Sequence, residues 1–432
     1  MTQMKQILKS LKAHRSKTAA LFIEIMIVTV IGWIVVLPVA VLTTNVTQPA
    51  SYDYERLVHV QFSKLTKDSE GYDSTRKDPL PDYRVLLDKI RQYEGVEKAT
   101  FSSYQAFESS SSSSTGIEAD SVYGLSEDES YIGANIVNFM PGTDFFATYG
   151  IKTPNGETVR EPEGRNGYLV NESVAKCKYP NKNPIGLNLY SYDPQEEDER
   201  PSPILGITQN TPYRKSEPRS HVIFAPVAEH EMQWTLDGVT LRLKEGVNAR
   251  RFADTLADDL YSFRSGNAYL THPTLFTDRR AAICAQENQE LTKSWLILAF
   301  FLVNVLLGVA GTFYIQSRSR IMDAGVMRAF GATRRDIMGG ILGEAVLTVV
   351  LAWAAGCFLY IAYHLTVKPE FDYEEDAITR ILNPMWYDQV PERFAVIGLI
   401  ILVLLLVCAL AGVILPARRV ASVAPIDALR DE

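Results

Sequence analysis

Apolar residues along the chain gather into four long blocks separated by polar sequence. A helix rising 1.5 Å per residue needs roughly 20 apolar residues to cross hydrocarbon. Residues 18–42, 294–316, 337–364 and 394–415 meet that length and predict four transmembrane helices. Between the first two blocks, residues 43–293 show the shorter periods of a globular domain. LVHVQF at Leu57–Phe62 reads as a strand, and PDYRVLLDKIRQYEGV places Tyr83, Leu86, Leu87, Ile90 and Tyr93 on one helical face before Gly95. Val96–Ser103 reads as the next strand. The same order returns further on: a strand at Val239–Lys244, a helix with Phe252, Ala253, Leu256 and Leu260 in register, then a strand at Asn267–Phe276. The middle, about Tyr131–Pro226, alternates Gly and Pro with short β-like runs such as GYLVNES, NPIGLNLYSYD and HVIFAPV. The predicted fold class is an α+β membrane protein with four transmembrane helices and a large extracytoplasmic α/β domain between helices 1 and 2. In that domain two strand-helix-strand units flank a β-rich subdomain. The serine run Ser109–Ser114 cannot bury apolar surface and predicts a mobile loop. Arg279–Lys293 lacks a helix breaker and predicts one continuous helix standing above the bilayer and running into the second span.

Charge orients these elements. Lys5, Lys9, Lys12, Arg15 and Lys17 precede the first block, whose apolar part is too long for a signal-peptide core and reads as an uncleaved anchor. Arginines crowd residues 317–336, and Arg418, Arg419 and Arg430 follow the last block. Residues 365–393 instead carry Glu370, Asp372, Glu374, Glu375, Asp376, Asp388 and Glu392 against Lys368 and Arg380. By the positive-inside rule the tails 1–17 and 416–432 and the 317–336 segment are cytoplasmic, while 43–293 and the short loop 365–393 lie outside. A net charge of -8, with the basic residues spent on the membrane face, argues against nucleic acid as a partner. Among the polar residues inside the blocks, Glu24, Asn304 and Glu344 are the ones to explain. An intramembrane carboxylate costs roughly 2.5–3.5 kcal/mol, so each glutamate should face protein, a water-filled groove or a basic neighbour near the interface. Asn304 either packs or bonds another helix.

The most informative stretch is SRIMDAGVMRAFGATRRDIMGGILGE, preceded by Arg318. Met322, Val326 and Ala329 or Phe330 share one side of a short helix of about three turns, too polar to span. Gly331 offers a left-handed stop. Thr333 and Asp336 then form a Thr-x-x-Asp capping box that starts the next helix. From charge alone, Arg318, Arg320, Arg328, Arg334 and Arg335 could equally bind anionic lipid.

GVMRAFGATRRDIMGGILGEAVL, a following apolar run, and the terminal LPARRVASVAPIDALRDE resemble the FtsX/MacB/LolC-type permeases of ATP-binding-cassette systems. The phrases Asn171-Glu172-Ser173 and Asn183-Pro184-Ile185-Gly186 resemble a MacB-like periplasmic core domain. The resemblance implies a multi-pass protein of the bacterial inner membrane, with both termini cytoplasmic and the large domain periplasmic. It makes the 317–336 segment the coupling helix, with Met322, Val326, Met327, Arg328, Phe330, Gly331, Arg334 and Arg335 as ATPase-coupling residues. It implies a separate cytoplasmic ATPase, a homodimer or a heterodimer with a second permease, and a periplasmic adaptor with an outer-membrane channel. The implied activity is export of a peptide-like, amphipathic or lipoprotein substrate. The alternative is an FtsX-like mechanotransmitter that regulates a cell-wall hydrolase and transports nothing.

Enzyme signatures are missing from the sequence. There is no G-x-x-x-x-G-K-[ST] to cradle phosphates and no G-x-S-x-G elbow. Glu229-His230-Glu231 lacks the second histidine of an H-E-x-x-H zinc site and reads as a solvated turn. No catalytic residue, cofactor or metal ligand is assigned, so the energy source belongs to another chain. Cys357 and Cys408 lie in apolar blocks; Cys177 and Cys284 lie outside, where their pairing is open.

Overall fold

The computed structural model describes residues 15–126, 129–162, 166–191, 200–227, 235–367 and 376–423. Helix α1 (Arg15–Thr47) comes first. Then follow β1 (Leu57–Lys64), α2 (Leu80–Arg91), β2 (Val96–Ser103), β3 (Ser113–Glu118), β4 (Tyr131–Phe139), α3 (Phe145–Tyr149), β5 (Tyr168–Asn171) and α4 (Glu172–Lys178). The chain continues through β6 (Asn188–Ser191), β7 (Arg200–Thr208), β8 (His221–Pro226), β9 (Leu236–Leu243), α5 (Ala249–Asp259), β10 (Arg264–Ser265), β11 (Ala268–Leu275) and α6 (Phe276–Ile283). It closes with α7 (Ala285–Ala329), α8 (Arg334–Val367), α9 (Ala377–Leu382) and α10 (Val390–Ser422). Two compact units result: a helical one from residues 1–42, 288–374 and 386–432, and an α/β one from 43–287 and 375–385.

In the α/β unit, the two strand-helix-strand runs interleave in one antiparallel sheet of order β10-β11-β1-β9-β2. Strand β1 pairs with both β11 and β9, so the first run is completed only by the last, the split βαβ arrangement of ferredoxin-like domains. Alternation explains the packing. Val58, Val60 and Phe62 point to the face that also carries Val239, Leu241 and Phe101, and there they meet α2 and α5. The i, i+3, i+4, i+7 set Tyr83, Leu86, Leu87 and Ile90 is buried, with Tyr83 stacked on Phe62 at 3.9 Å between ring centroids. The opposite face is polar yet buried: His59, Thr100, Ser102 and Thr240. It is covered around α3, where Tyr149 Oη lies 3.1 Å from Thr240 Oγ1 and Thr143 Oγ1 lies 2.8 Å from Thr100 Oγ1.

The insertion between β2 and β9 builds a second, mixed sheet of order β3-β4-β8-β5-β7-β6. Pairs β4/β8 and β5/β7 are parallel, and the other three are antiparallel. Its core is aromatic, with Phe139, Phe145, Phe146 and Phe224 fully buried. Here the serine run departs from the mobile loop expected of it. Ser113–Glu118 is the edge strand β3, while Tyr213 Oη donates to Ser111 O at 2.9 Å and Arg214 Nε to Ser109 O at 2.9 Å. Serine side chains bury no apolar surface, but their backbone is held by partners contributed from a distant loop.

In the helical unit, four helices have the length and hydropathy to cross a membrane: Ala19–Thr47, Asn288–Gln316, Arg334–Thr366 and Val390–Ser422. Small residues set their crossings. A Cβ at Gly356 of α8 would lie 2.8 Å from Met26 O of α1, and one at Gly412 of α10 would lie 2.9 Å from Leu306 O of α7. Trp33 stacks on Tyr360 at 4.8 Å and leans on Phe394 at 4.7 Å, while Trp353 Nε1 donates to Gly398 O at 3.0 Å.

Two helix expectations need correction. The continuous helix from Arg279 into the second span is broken: α6 stops at Ile283, Cys284 leaves helical geometry at ψ 7°, and α7 starts at Ala285. Nothing local announces this break; α6 is held to the α/β unit by buried Phe276 and Arg280. Conversely, the separate short helix expected within 317–336 is absent. Met322 and Val326 lie in the last turns of α7, a single helix of 45 residues, about 67 Å at 1.5 Å per residue.

Candidate coupling site

The connection between α7 and α8 is a tight helical hairpin, and its chemistry follows from local residues. Gly331 takes φ +93°, a value that favours glycine, and ends α7 with Gly331 N donating to Arg328 O at 3.0 Å and Ala332 N to Met327 O at 3.0 Å. Thr333 N donates to Asp336 Oδ2 at 2.9 Å, and Asp336 N donates back to Thr333 Oγ1 at 3.3 Å. This reciprocal cap starts α8.

The residues singled out from the sequence divide into two groups. Met322, Val326, Met327 and Phe330 are 59, 43, 46 and 89% exposed, a contiguous apolar stripe at i, i+4 and i+8 that the rest of the described chain leaves uncovered. Gly331, Arg334 and Arg335 are exposed beside it. Arg328 belongs elsewhere: its Nη1 donates to Val423 O at the end of α10, tying the hairpin to the last helix.

Behind the stripe Glu344 meets a basic neighbour, one of the alternatives the sequence offered for it, in a partner the sequence did not name. Arg320 forms a two-pronged ion pair with Glu344, Nη1 to Oε2 and Nη2 to Oε1 both at 2.8 Å, and Nη2 also donates to Gln316 Oε1 at 2.6 Å. The guanidinium carbon lies 5.2 Å from the Phe313 ring centroid. Both charges are buried, at 9 and 4% side-chain exposure. A signal for it existed: Arg320 and Glu344 stand equally far on either side of Ala332 in the hairpin turn. The other polar residues of the spans are less constrained. Glu24 has no cation partner among the described residues; its carboxylate occupies the space left by Gly308, where a Cβ would lie 2.4 Å from both oxygens. Asn304 Nδ2 donates to Phe300 O of its own helix at 2.8 Å.

A second buried charge cluster lies within the α/β unit, where residues following α1 meet the helix preceding α7. Glu108, at φ +55°, accepts from Tyr52 Oη at 2.9 Å and faces Arg280 Nε at 3.4 Å. The Arg280 guanidinium covers the Tyr54 ring at 3.9 Å. Burial raises the Glu108 carboxyl above its ordinary value against the pull of Arg280. Cys177 and Cys284 are both buried and are not joined to each other, so the disulfide left open by the sequence is not formed. Glu229-His230-Glu231 lies outside the described residues.

Residues 295–425, which contain this hairpin, match the FtsX-like permease C-terminal family. Over 205 residues the chain is 27% identical to the macrolide export ATP-binding/permease protein MacB 1 of Yersinia pestis, covering 45% of this chain and 28% of that protein. Over 335 residues it is 24% identical to MacB of Mannheimia succiniciproducens, covering 74% of this chain and 46% of the relative. Residues 295–425 thus carry an FtsX-like permease domain, and the chain is similar to MacB-type permeases. The chain spans less than half the length of these curated relatives. Among solved structures, the periplasmic region of MacB from Actinobacillus actinomycetemcomitans aligns with TM-score 0.31 and 14% identity, covering 53% of this chain and 93% of that one. The extracellular domain of the noncanonic ABC-type transporter YknZ from Gram-positive bacteria aligns with TM-score 0.27 and 10% identity, covering 50% and 100%.

Proposed function

We propose that this chain is the permease subunit of an ATP-binding-cassette system of the bacterial inner membrane, and that it converts movement of a separate cytoplasmic ATPase into movement of the α/β unit. The observation that carries the reading is the uncovered stripe Met322, Val326 and Phe330 at the end of a single 45-residue helix. An apolar stripe beside exposed arginines suits a groove on a partner protein, and the unbroken helix behind it suits transmission of a push. The α/β unit lies outside the cytoplasm, with both termini inside. Supporting this, residues 43–287 and 375–385 form one unit, so the segments after the first and third spans share a side. The basic residues select which side. Two permease chains work together, and the cargo is a peptide-like, amphipathic or lipoprotein substrate delivered to an adaptor and outer-membrane channel.

Truncating a buried interface anchor costs about 2 kcal/mol or more, whereas a rim charge costs about 1 or less. Val326→Asp and Phe330→Ala should therefore impair ATPase pull-down and transport far more than Arg334→Ala, at equal membrane levels. Wild-type pull-down by Val326→Asp would sink the assignment. A defect confined to Arg334→Ala would favour lipid binding instead.

A further inference from the structure

The acidic connection between the third and fourth membrane-spanning helices contains the six-residue helix α9, and α9 packs within the α/β unit. A helix this short does not persist alone in water, so its neighbours must hold it. They do so at three points. At its start, the Asp376 carboxylate accepts from the backbone N–H of Gly133 on β4. In its middle, Ile378 is fully buried in the core formed with Ile132, Val170, Val174 and Ile223, and Thr379 Oγ1 lies 2.6 Å from His221 Nε2. At its end, Asn383 Nδ2 donates to Ser173 Oγ at 3.0 Å, Asn210 Nδ2 donates to Asn383 Oδ1 at 3.4 Å, and Arg219 Nη1 donates to Asn383 O at 3.2 Å.

His221 joins the cluster through both ring nitrogens: Nδ1 lies 2.8 Å from Ser173 Oγ, which accepts from Asn383 Nδ2, and Nε2 lies 2.6 Å from Thr379 Oγ1. Either tautomer fills both bonds, because each hydroxyl can donate or accept. Arg219 supplies a cation at the helix C-terminus, where the carbonyl dipoles favour one. Local sequence prepares the receiving side: Asn171 caps α4 by accepting from Val174 N at 3.1 Å, which fixes Ser173 in the first turn.

We propose that α9 is a clamp that gives the α/β unit a second attachment to the membrane helices, beyond its two chain ends, and that the clamp is closed in the membrane-embedded protein. Displacements of α8 or α10 then reach the six-stranded sheet directly through Thr379 and Asn383. This concerns the chain by itself and stands whether or not an ATPase drives it.

The test uses the full chain in lipid nanodiscs. In the wild type, amides 377–383 should exchange hydrogen slowly, like the strands they contact. Thr379→Val keeps the shape but removes the hydroxyl, and should speed their exchange roughly tenfold, the scale of one buried hydrogen bond. Thr379→Ser should restore protection. Spin labels at Tyr261→Cys and Ile381→Cys, both exposed positions of the α/β unit, should give one narrow distance distribution that broadens when Thr379→Val and Asn383→Ala are combined. Exchange of 377–383 at unprotected-peptide rates in the wild type would overturn the clamp. So would a distance distribution unchanged by the double substitution.

Discussion

The Arg320–Glu344 pair allows a sharp prediction, because its two partners differ in what is left behind when one is removed. Glu344→Gln retains one carbonyl acceptor but turns an amide N–H toward the guanidinium, leaving a charge of 9% exposure without its counter-ion. Breaking one side of a buried pair costs about 3–5 kcal/mol, whereas replacing both sides with apolar groups is often neutral. Glu344→Gln should therefore lose about 3 kcal/mol, Arg320→Met a similar amount, and Arg320→Met/Glu344→Met within about 1 kcal/mol of wild type. The coupling energy from the cycle should exceed about 2 kcal/mol. Arg320→Lys supplies an intermediate case, since an ammonium cannot make both prongs and reach Gln316. The assay is reversible unfolding of the full chain in mixed micelles, with helicity by circular dichroism against denaturing-detergent fraction. Additive single substitutions, or Glu344→Gln within about 0.5 kcal/mol of wild type, would refute the reasoning.

His221 is held down to about 4 by burial, helped by Arg219, so it stays neutral where a free histidine would charge. Its depressed value means the stabilisation is full above the unfolded pKa near 6.5 and is lost as pH falls to 4, on the order of 3 kcal/mol. Thermal unfolding across that window should show the loss in wild type and much less of it in His221→Gln. A Cβ on Gly238 would lie 2.1 Å from Val60 O, so Gly238→Ala should part β1 from β9 and cost at least about 2 kcal/mol, read as lower membrane level and melting temperature. The Cys177 thiol is pushed up to about 12 by burial, so maleimide should label it only after denaturation.

What the sequence displayed was periodicity, and periodicity specifies faces. The four spans, the β1–α2–β2 run and the faces of α2 and α5 were all legible because each repeats its own apolar spacing. So was the Gly331 stop with its Thr333–Asp336 cap, since both are local backbone chemistry. Partners across the fold were not. Ile378 and Thr379 sit in a loop whose charge pattern says only that it is acidic, and their meaning comes from His221 and Ser173, more than a hundred residues away. The serine run became a strand edge because Tyr213 and Arg214 arrive from another loop. Arg320 read as one more cytoplasmic arginine until the hairpin placed Glu344 opposite it. Strand order within each sheet likewise has no local signature.

The polar face of the five-stranded sheet has a thermodynamic consequence. Parting α3 from it would expose the hydroxyls of Thr100, Ser102 and Thr240 and the imidazole of His59 on the sheet side. Exposing apolar surface raises heat capacity by about 0.45 cal/K/mol per Å², while polar surface lowers it by about 0.26. The polar side thus offsets part of the heat capacity of the apolar side, and the enthalpy of such an opening would vary less with temperature than that of an all-apolar seam. A seam of this kind would lose less of its stability on cooling than one closed by apolar contacts alone.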